Sequence, residues 1–125
     1  MKYLITGGNG FIGKFLKEKL LSQNHEVKTL GISKNNDYSI DLTKDSIELS
    51  EDFDVILHSA SIVHNQAHAL SFNSQFILQD LEITLNLLRS INQVSYKKLI
   101  YLSSVSVYGV DFGQNIDITQ KLYPK

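Results

Sequence analysis

The sequence predicts an α/β fold, a doubly wound parallel sheet of about five strands in the order 3-2-1-4-5, truncated after the fifth. Three observations predict it. Short apolar runs alternate with amphipathic segments along the chain. The run Asp54-Val-Ile-Leu-His58 is apolar without interruption between its ends, as in strands covered on both faces. Glycines 7, 10 and 13 lie where the first strand gives way to the first helix.

Each element follows from the pattern. Lys2-Tyr-Leu-Ile-Thr6 reads as a short buried strand that ends in a glycine loop. In the helix after it, Phe11, Ile12, Phe15, Leu16 and Leu20 recur at three- and four-residue steps, and Lys14, Lys17, Glu18 and Lys19 fill the other side, so one stripe is buried. His25 to Leu30 is the second strand. A short third strand is expected near Tyr38–Asp41, a helix over 43–50, and the fourth strand over 54–58. Between Phe72 and Ile91 the apolar residues Phe76, Ile77, Leu81, Ile83, Leu85, Leu87, Leu88 and Ile91 occupy more than one helical face, which predicts a helix largely enclosed by neighbours. Lys97 to Ser103 is the fifth strand. The stretch from Val110 to Lys125 has little periodicity, and a fifth strand with no next partner leaves an edge open to association.

The bulk numbers restrict the function. A chain of 125 residues with 42% hydrophobic content is long enough to bury one core. Its formal net charge of -1, with Lys and Arg scattered, argues against a nucleic-acid partner. The absence of cysteine carries no redox information. No apolar run approaches the roughly 20 residues of a membrane span, and none resembles a signal peptide, so the expectation is a cytoplasmic protein with no membrane partner.

The opening loop fits two phosphate motifs at once. Read as Gly8-x4-Gly13-Lys14 it nearly forms a P-loop, but the next position must carry a hydroxyl for magnesium and holds Phe15. Read as Gly7-x2-Gly10-x2-Gly13 it forms a dinucleotide loop, in its proper place between strand and helix. The glycines then permit a tight turn, close approach to a pyrophosphate and close helix–strand packing, while amides at the helix start bind the anion. Gly7, Gly10, Phe11, Ile12 and Gly13 are the candidate contacts.

Thr6-Gly-Gly-Asn-Gly-Phe-Ile-Gly13 resembles the opening of the extended short-chain dehydrogenase/reductase family, the NAD-dependent epimerases and dehydratases of sugar nucleotides. Asp41-Leu42 looks like that family's acidic-apolar pair at the adenine, His58-Ser-Ala-Ser61 like its segment beneath the cofactor, and Ser103-Ser-Val-Ser-Val-Tyr-Gly109 like its strand-5 signature. The resemblance implies a Rossmann-like cofactor domain over 1–125, the N-terminal part of a longer fold whose substrate domain is absent. It also implies cofactor contacts from Asp41, Leu42, His58, Ala60 and Ser61. Ser104 takes the place of the family's catalytic serine or threonine. The partner tyrosine, which works as a base because a lysine four residues on lowers its pKa, has no counterpart, since no Tyr-x3-Lys occurs anywhere in the chain. Losing such a base costs about 10² to 10⁴ in rate, so the chain as given is expected to be inactive.

Two departures bear on this. Where NAD-preferring relatives carry an acid after strand 2, this chain has Gly31, then Ile32, Ser33 and Lys34. Ser33 and Lys34 would suit a 2'-phosphate, which gives a slight lean to NADP over NAD. Asp80 stands where the family often has asparagine. Weaker features have ordinary readings. His64 and His68 have a spacing that can hold zinc, but no third ligand is evident, so no metal is expected. Tyr108 is as well read as a packed aromatic as a substrate contact.

Two functions remain open. One is the cofactor part of a nucleotide-sugar epimerase, dehydratase or reductase, whose substrate would bind only in a full-length form. The other is a stand-alone NAD(P)-binding or sensor module without chemistry. A homo-oligomer through the fifth-strand edge is expected in either case.

Overall fold

A computed structural model describes residues 1–62 and 74–104. Five strands form one parallel sheet: β1 (Lys2–Thr6), β2 (Glu26–Gly31), β3 (Tyr38–Ser39), β4 (Phe53–His58) and β5 (Tyr96–Tyr101). Their order is β3-β2-β1-β4-β5, as the sequence predicts. Two helices cross between strands, α1 (Phe11–Ser22) and α2 (Ser74–Ile91).

Alternation along the strands explains the uninterrupted apolar runs. Leu4 pairs with Ile56 and Ile5 with Leu57 in the β1–β4 register, so neighbouring residues enter opposite layers. Ile5, Val27, Val55 and Leu57 form one core with Leu16 and Leu20 of α1. Leu4, Leu30, Phe53 and Ile56 form the other with Ile83, Leu87 and Ile91 of α2. Both faces are therefore apolar because both are covered.

Strand ends move by a residue or two from the expected ones, and three expectations need correction. Of the stripe expected on α1 only Leu16 and Leu20 pack against the core, while Phe11, Ile12 and Phe15 are exposed, Phe11 and Ile12 standing at the cleft beyond the sheet's end rather than over the sheet. No helix forms over 43–50. Asp41 Oδ1 accepts from Thr43 N and Thr43 Oγ1, a turn that competes with helix. The chain then passes against α2, where Ile47 N donates to Ser90 Oγ at 2.9 Å and Leu49 enters the core. Nor is α2 enclosed. Its buried stripe is Ile83, Leu87 and Ile91, while Ile77, Leu78, Leu81, Leu85 and Leu88 are exposed, because a helix lying on a sheet is covered along one stripe only. Among the described residues, β5 pairs with β4 alone, and no helix is long and apolar enough to cross a membrane.

Candidate functional site

In a parallel sheet of this order, the chain leaves β1 and β4 toward opposite layers, and a crevice opens at their carboxyl ends. Here a cleft of about 390 Å³ lies at that edge. Its walls come from the glycine loop after β1, the turn after β2, the Asp41 turn and the segment 59–62 after β4.

The glycine loop is built by close backbone contact. Gly7 has φ +69°, which a side chain rarely tolerates. Its N–H donates to Leu30 O at 2.8 Å, and its own carbonyl accepts from Gly10 N at 2.8 Å. A Cβ on Gly13 would lie 2.2 Å from that Gly7 carbonyl oxygen, and one on Gly8 would meet Thr29 Cγ2 at 2.5 Å. Gly13 thus lets α1 pack onto the loop, and Gly8 lets the loop pack onto β2. Gly10 is the N-cap, with no side-chain cap and no acidic residue in the first turn. The first amides of α1 therefore keep their hydrogen-bonding capacity and the positive end of the dipole.

The turn after β2 is held by Asp37. Its Oδ2 accepts from both Thr29 N and Thr29 Oγ1 at 2.9 Å. Burial pushes this carboxyl upward, yet those two hydrogen bonds with Lys28 and Lys17 nearby bring it below its ordinary value. The next residue back, Asn36, lines the cleft. Its Nδ2 donates to Ser33 O at 2.8 Å, while its Oδ1 is buried without a partner. Asp41 also lines the cleft, and its hydrogen bond from Thr43, with Lys44 beside it, lowers its pKa. Leu42 forms part of the floor and joins the core, pinned from below as Asn86 Nδ2 donates to Leu42 O at 2.9 Å.

The wall after β4 hangs on Thr6 and Asp80. Thr6 Oγ1 accepts from Ser59 N at 3.2 Å and Ala60 N at 3.1 Å, and Ser59 Oγ donates to Thr6 O at 2.6 Å. Asp80 Oδ1 accepts from Ile62 N at 2.8 Å. The carboxylate that departs from the resemblance thus holds the cleft wall by a backbone amide.

Of the residues expected at the cofactor, Gly7, Gly10, Phe11, Ile12, Gly13, Ser33, Asp41, Leu42, Ala60 and Ser61 line one cleft. Two other cofactor candidates, Lys34 and His58, stand apart from that lining, as does Ser104, the expected catalytic residue. Lys34 is exposed beside it. His58 is buried between Thr6 Oγ1 at 2.6 Å and Thr84 Oγ1 at 3.5 Å, and burial lowers its pKa. Ser104 is exposed beyond the end of β5. His64, His68 and Tyr108 lie outside the described residues, and among the described residues no group of three His, Cys, Asp or Glu is placed to hold a metal. Sequence reasoning missed Asn9, Asn36 and Thr43 in the lining, since lone polar residues in polar loops carry no periodic signal.

A dinucleotide needs a dipole end free for its pyrophosphate, backbone that approaches closely and an acceptor for ribose hydroxyls. The uncapped start of α1 and the glycine contacts meet the first two, and Asp41 and Asn36 bring side-chain oxygens to the same lining. Fold and cleft together define a Rossmann-like dinucleotide-binding domain.

Residues 3–125 match the model of the NAD dependent epimerase/dehydratase family, and the chain belongs to that family. Protein CapI of Staphylococcus aureus is 29% identical over 153 residues, an alignment that takes in 98% of this chain and 45% of CapI. A solved UDP-galactose 4-epimerase superposes with TM-score 0.76 at 22% identity, over 99% of this chain and 45% of that one. The Thermus thermophilus UDP-glucose 4-epimerase, solved in complex with NAD, gives TM-score 0.70 at 23% identity, over 100% and 45%. At these identities the solved structures establish the fold. The chain spans less than half the length of the relatives it matches.

Proposed function

We propose that this chain is the cofactor-holding part of a nucleotide-sugar epimerase, dehydratase or reductase, and that it binds NAD(P) in the cleft above β1, β2 and β4. The observation that carries the reading is the single cleft that gathers the glycine loop, the Asp41-Leu42 pair and Ala60-Ser61, segments far apart in the chain. Family membership over residues 3–125 supports it.

Each segment then has a part. The amides at the start of α1 hold the pyrophosphate, with Gly10 leaving room for it and Gly13 letting the helix start pack close to the loop. Leu42 offers an apolar floor to the adenine, and Asp41 flanks it. Ala60 and Ser61 form the wall toward the nicotinamide end. When bound, the nicotinamide supplies a hydride acceptor and donor. Ser104 follows β5 at the same edge of the parallel sheet, where its hydroxyl would orient the reacting sugar oxygen. Sugar binding is assigned to the remaining length of the relatives, which are more than twice as long as this chain.

Calorimetric titration with NAD and NADP tests the reading. Binding of at least one is expected, and Gly10→Val should abolish it by filling the pyrophosphate space. A folded chain that binds neither nucleotide at millimolar concentration would sink the proposal.

A further inference from the structure

We propose that Asn36 reads the adenosine ribose, taking over from the strand-end carboxylate that this chain lacks at Gly31, and that it selects NAD over NADP. The inference rests on the dinucleotide reading above and deepens it.

The argument starts from Gly31, the last residue of β2. In folds of this class an acid about 20 residues beyond the glycine loop accepts hydrogen bonds from the ribose hydroxyls. Gly31 has no side chain to do so, and the space beside it is filled from the other direction. A Cβ on Gly31 would lie 3.1 Å from Asn36 Nδ2, 3.6 Å from its Cγ and 3.7 Å from its Oδ1. The Asn36 amide therefore occupies the volume that a side chain at 31 would enter, and it belongs to the cleft lining.

Its orientation is fixed. Nδ2 donates to Ser33 O at 2.8 Å, and a flipped amide would set oxygen against oxygen. Oδ1 is thus turned toward the glycine loop, 3.4 Å from where a Cβ on Gly8 would stand. Asn36 is only 9% exposed, and Oδ1 has no partner. A buried acceptor left unpaired is costly, so a donor brought by a ligand recovers more than an ordinary hydrogen bond. As the turn stands, Oδ1 is closed off between the two glycine backbones. Reading the hydroxyl therefore requires the turn 33–36 to give slightly, and Ser33, Lys34 and Asn35 are exposed.

The chemistry selects the hydroxyl. A ribose 2'-hydroxyl donates a hydrogen bond, whereas a 2'-phosphate offers mainly acceptor oxygens and meets this oxygen unfavourably. Neither nearby carboxylate is placed to take the role. Asp37 gives Oδ2 to Thr29, with Lys28 Nζ 3.5 Å from its Oδ1. Asp41 gives Oδ1 to Thr43 and Oδ2 to Lys44. Lys34, the cation that favoured a phosphate in the sequence, does not line the cleft.

Titration calorimetry of the wild-type chain with NAD and NADP is the first test, and NAD is expected to bind at least about tenfold more tightly. Asn36→Ala should weaken NAD by about five- to tenfold and leave NADP nearly unchanged. The double variant Gly31→Asp/Asn36→Ala removes the amide from the volume beside 31 and returns an acid, so it should restore NAD binding while excluding NADP. Circular dichroism establishes that each variant is folded, and the wild-type ratio needs no variant. Equal or tighter binding of NADP by the wild type would overturn the inference alone. So would an Asn36→Ala variant that loses both nucleotides equally, the mark of a collapsed turn. A folded wild type that binds neither removes the dinucleotide reading and this inference with it.

Discussion

Thr6 Oγ1 gives its hydrogen to His58 Nδ1 across 2.6 Å. The direction follows from the rest of the Thr6 environment. Its oxygen already accepts from Ser59 N and Ala60 N, so its one hydrogen is left for the ring. Nδ1 is then the acceptor, and the proton of the neutral imidazole sits on Nε2, facing Thr84 Oγ1 at 3.5 Å. Thr84 passes its own hydrogen to Asp80 O at 3.2 Å. One buried hydroxyl thus ties the end of β1 to the end of β4 and to the cleft wall.

Thr6→Val keeps the shape and removes the hydroxyl, which strands two amides and a ring nitrogen. The expected loss is about 3 kcal/mol of stability, read from urea denaturation midpoints. Thr6→Ser keeps the wiring and loses one methyl, at a cost of about 1 kcal/mol. If the valine variant proves as stable as the serine one, the hydrogen-bond assignment is wrong.

The His58 tautomer predicts a pH dependence. Burial lowers the folded-state pKa of His58 below 6.5, so between those values the unfolded chain binds a proton that the folded chain refuses. Stability is therefore full above about pH 6.5 and falls as pH drops through the folded pKa. His58→Gln should flatten this fall. A second loss is expected in more acidic solution, as pH falls below 3.8 and through the lowered pKa values of Asp37, Asp41 and Asp54, whose charged forms are favoured by the fold. Chemical denaturation from pH 8 to pH 3 of both chains checks the two windows. A His58→Gln curve that parallels the wild type down to pH 5 would remove His58 as the cause.

Strand order and the glycine loop were legible in the sequence for physical reasons. Val55-Ile-Leu57 reads as a two-sided strand because each layer needs its own apolar partner, and glycine spacing reports backbone contacts that no other residue permits. The region 43–50 was misread because Asp41 and Thr43 form a turn through side-chain oxygens, a choice that hydrophobic periodicity does not register. The exposed side of α2 was misread because Leu81, Leu85 and Leu88 look the same in sequence whether a neighbour covers them or not. Asn36 gave no signal, since its meaning depends on the volume beside Gly31 that its amide fills, five residues earlier in sequence and adjacent in space.

The glycine loop orders its substitutions by distance. A methyl on Gly13 would lie 2.2 Å from Gly7 O and 2.9 Å from Gly8 Cα, both backbone atoms that cannot rotate away. Gly13→Ala should therefore cost about 3 kcal/mol or more, with loss of nucleotide binding. A methyl on Gly10 meets only Gly7 O at 3.1 Å, and as an N-cap change it should cost about 1 kcal/mol or less. Thermal melts of the two variants in parallel check the ranking. Equal stabilities would mean that α1 slides on the loop rather than being locked to it.

Away from the cleft, Tyr38 OH donates to Glu51 Oε1, and Lys2 Nζ reaches both Glu51 and Glu26. Burial, together with the Glu51 carboxylate, pushes the Tyr38 phenol up to about 12. The neutral phenol is the form that the fold prefers. Its stabilising effect is thus complete below about pH 10 and is lost as pH rises through 12. An ultraviolet titration of phenolate should show Tyr38 ionising late. Glu51→Gln removes the negative charge but keeps an acceptor oxygen, so it should draw that late transition back toward 10 without unfolding the chain. If the late transition stays in place in Glu51→Gln, burial alone sets it, and the Glu51 contact contributes packing rather than charge.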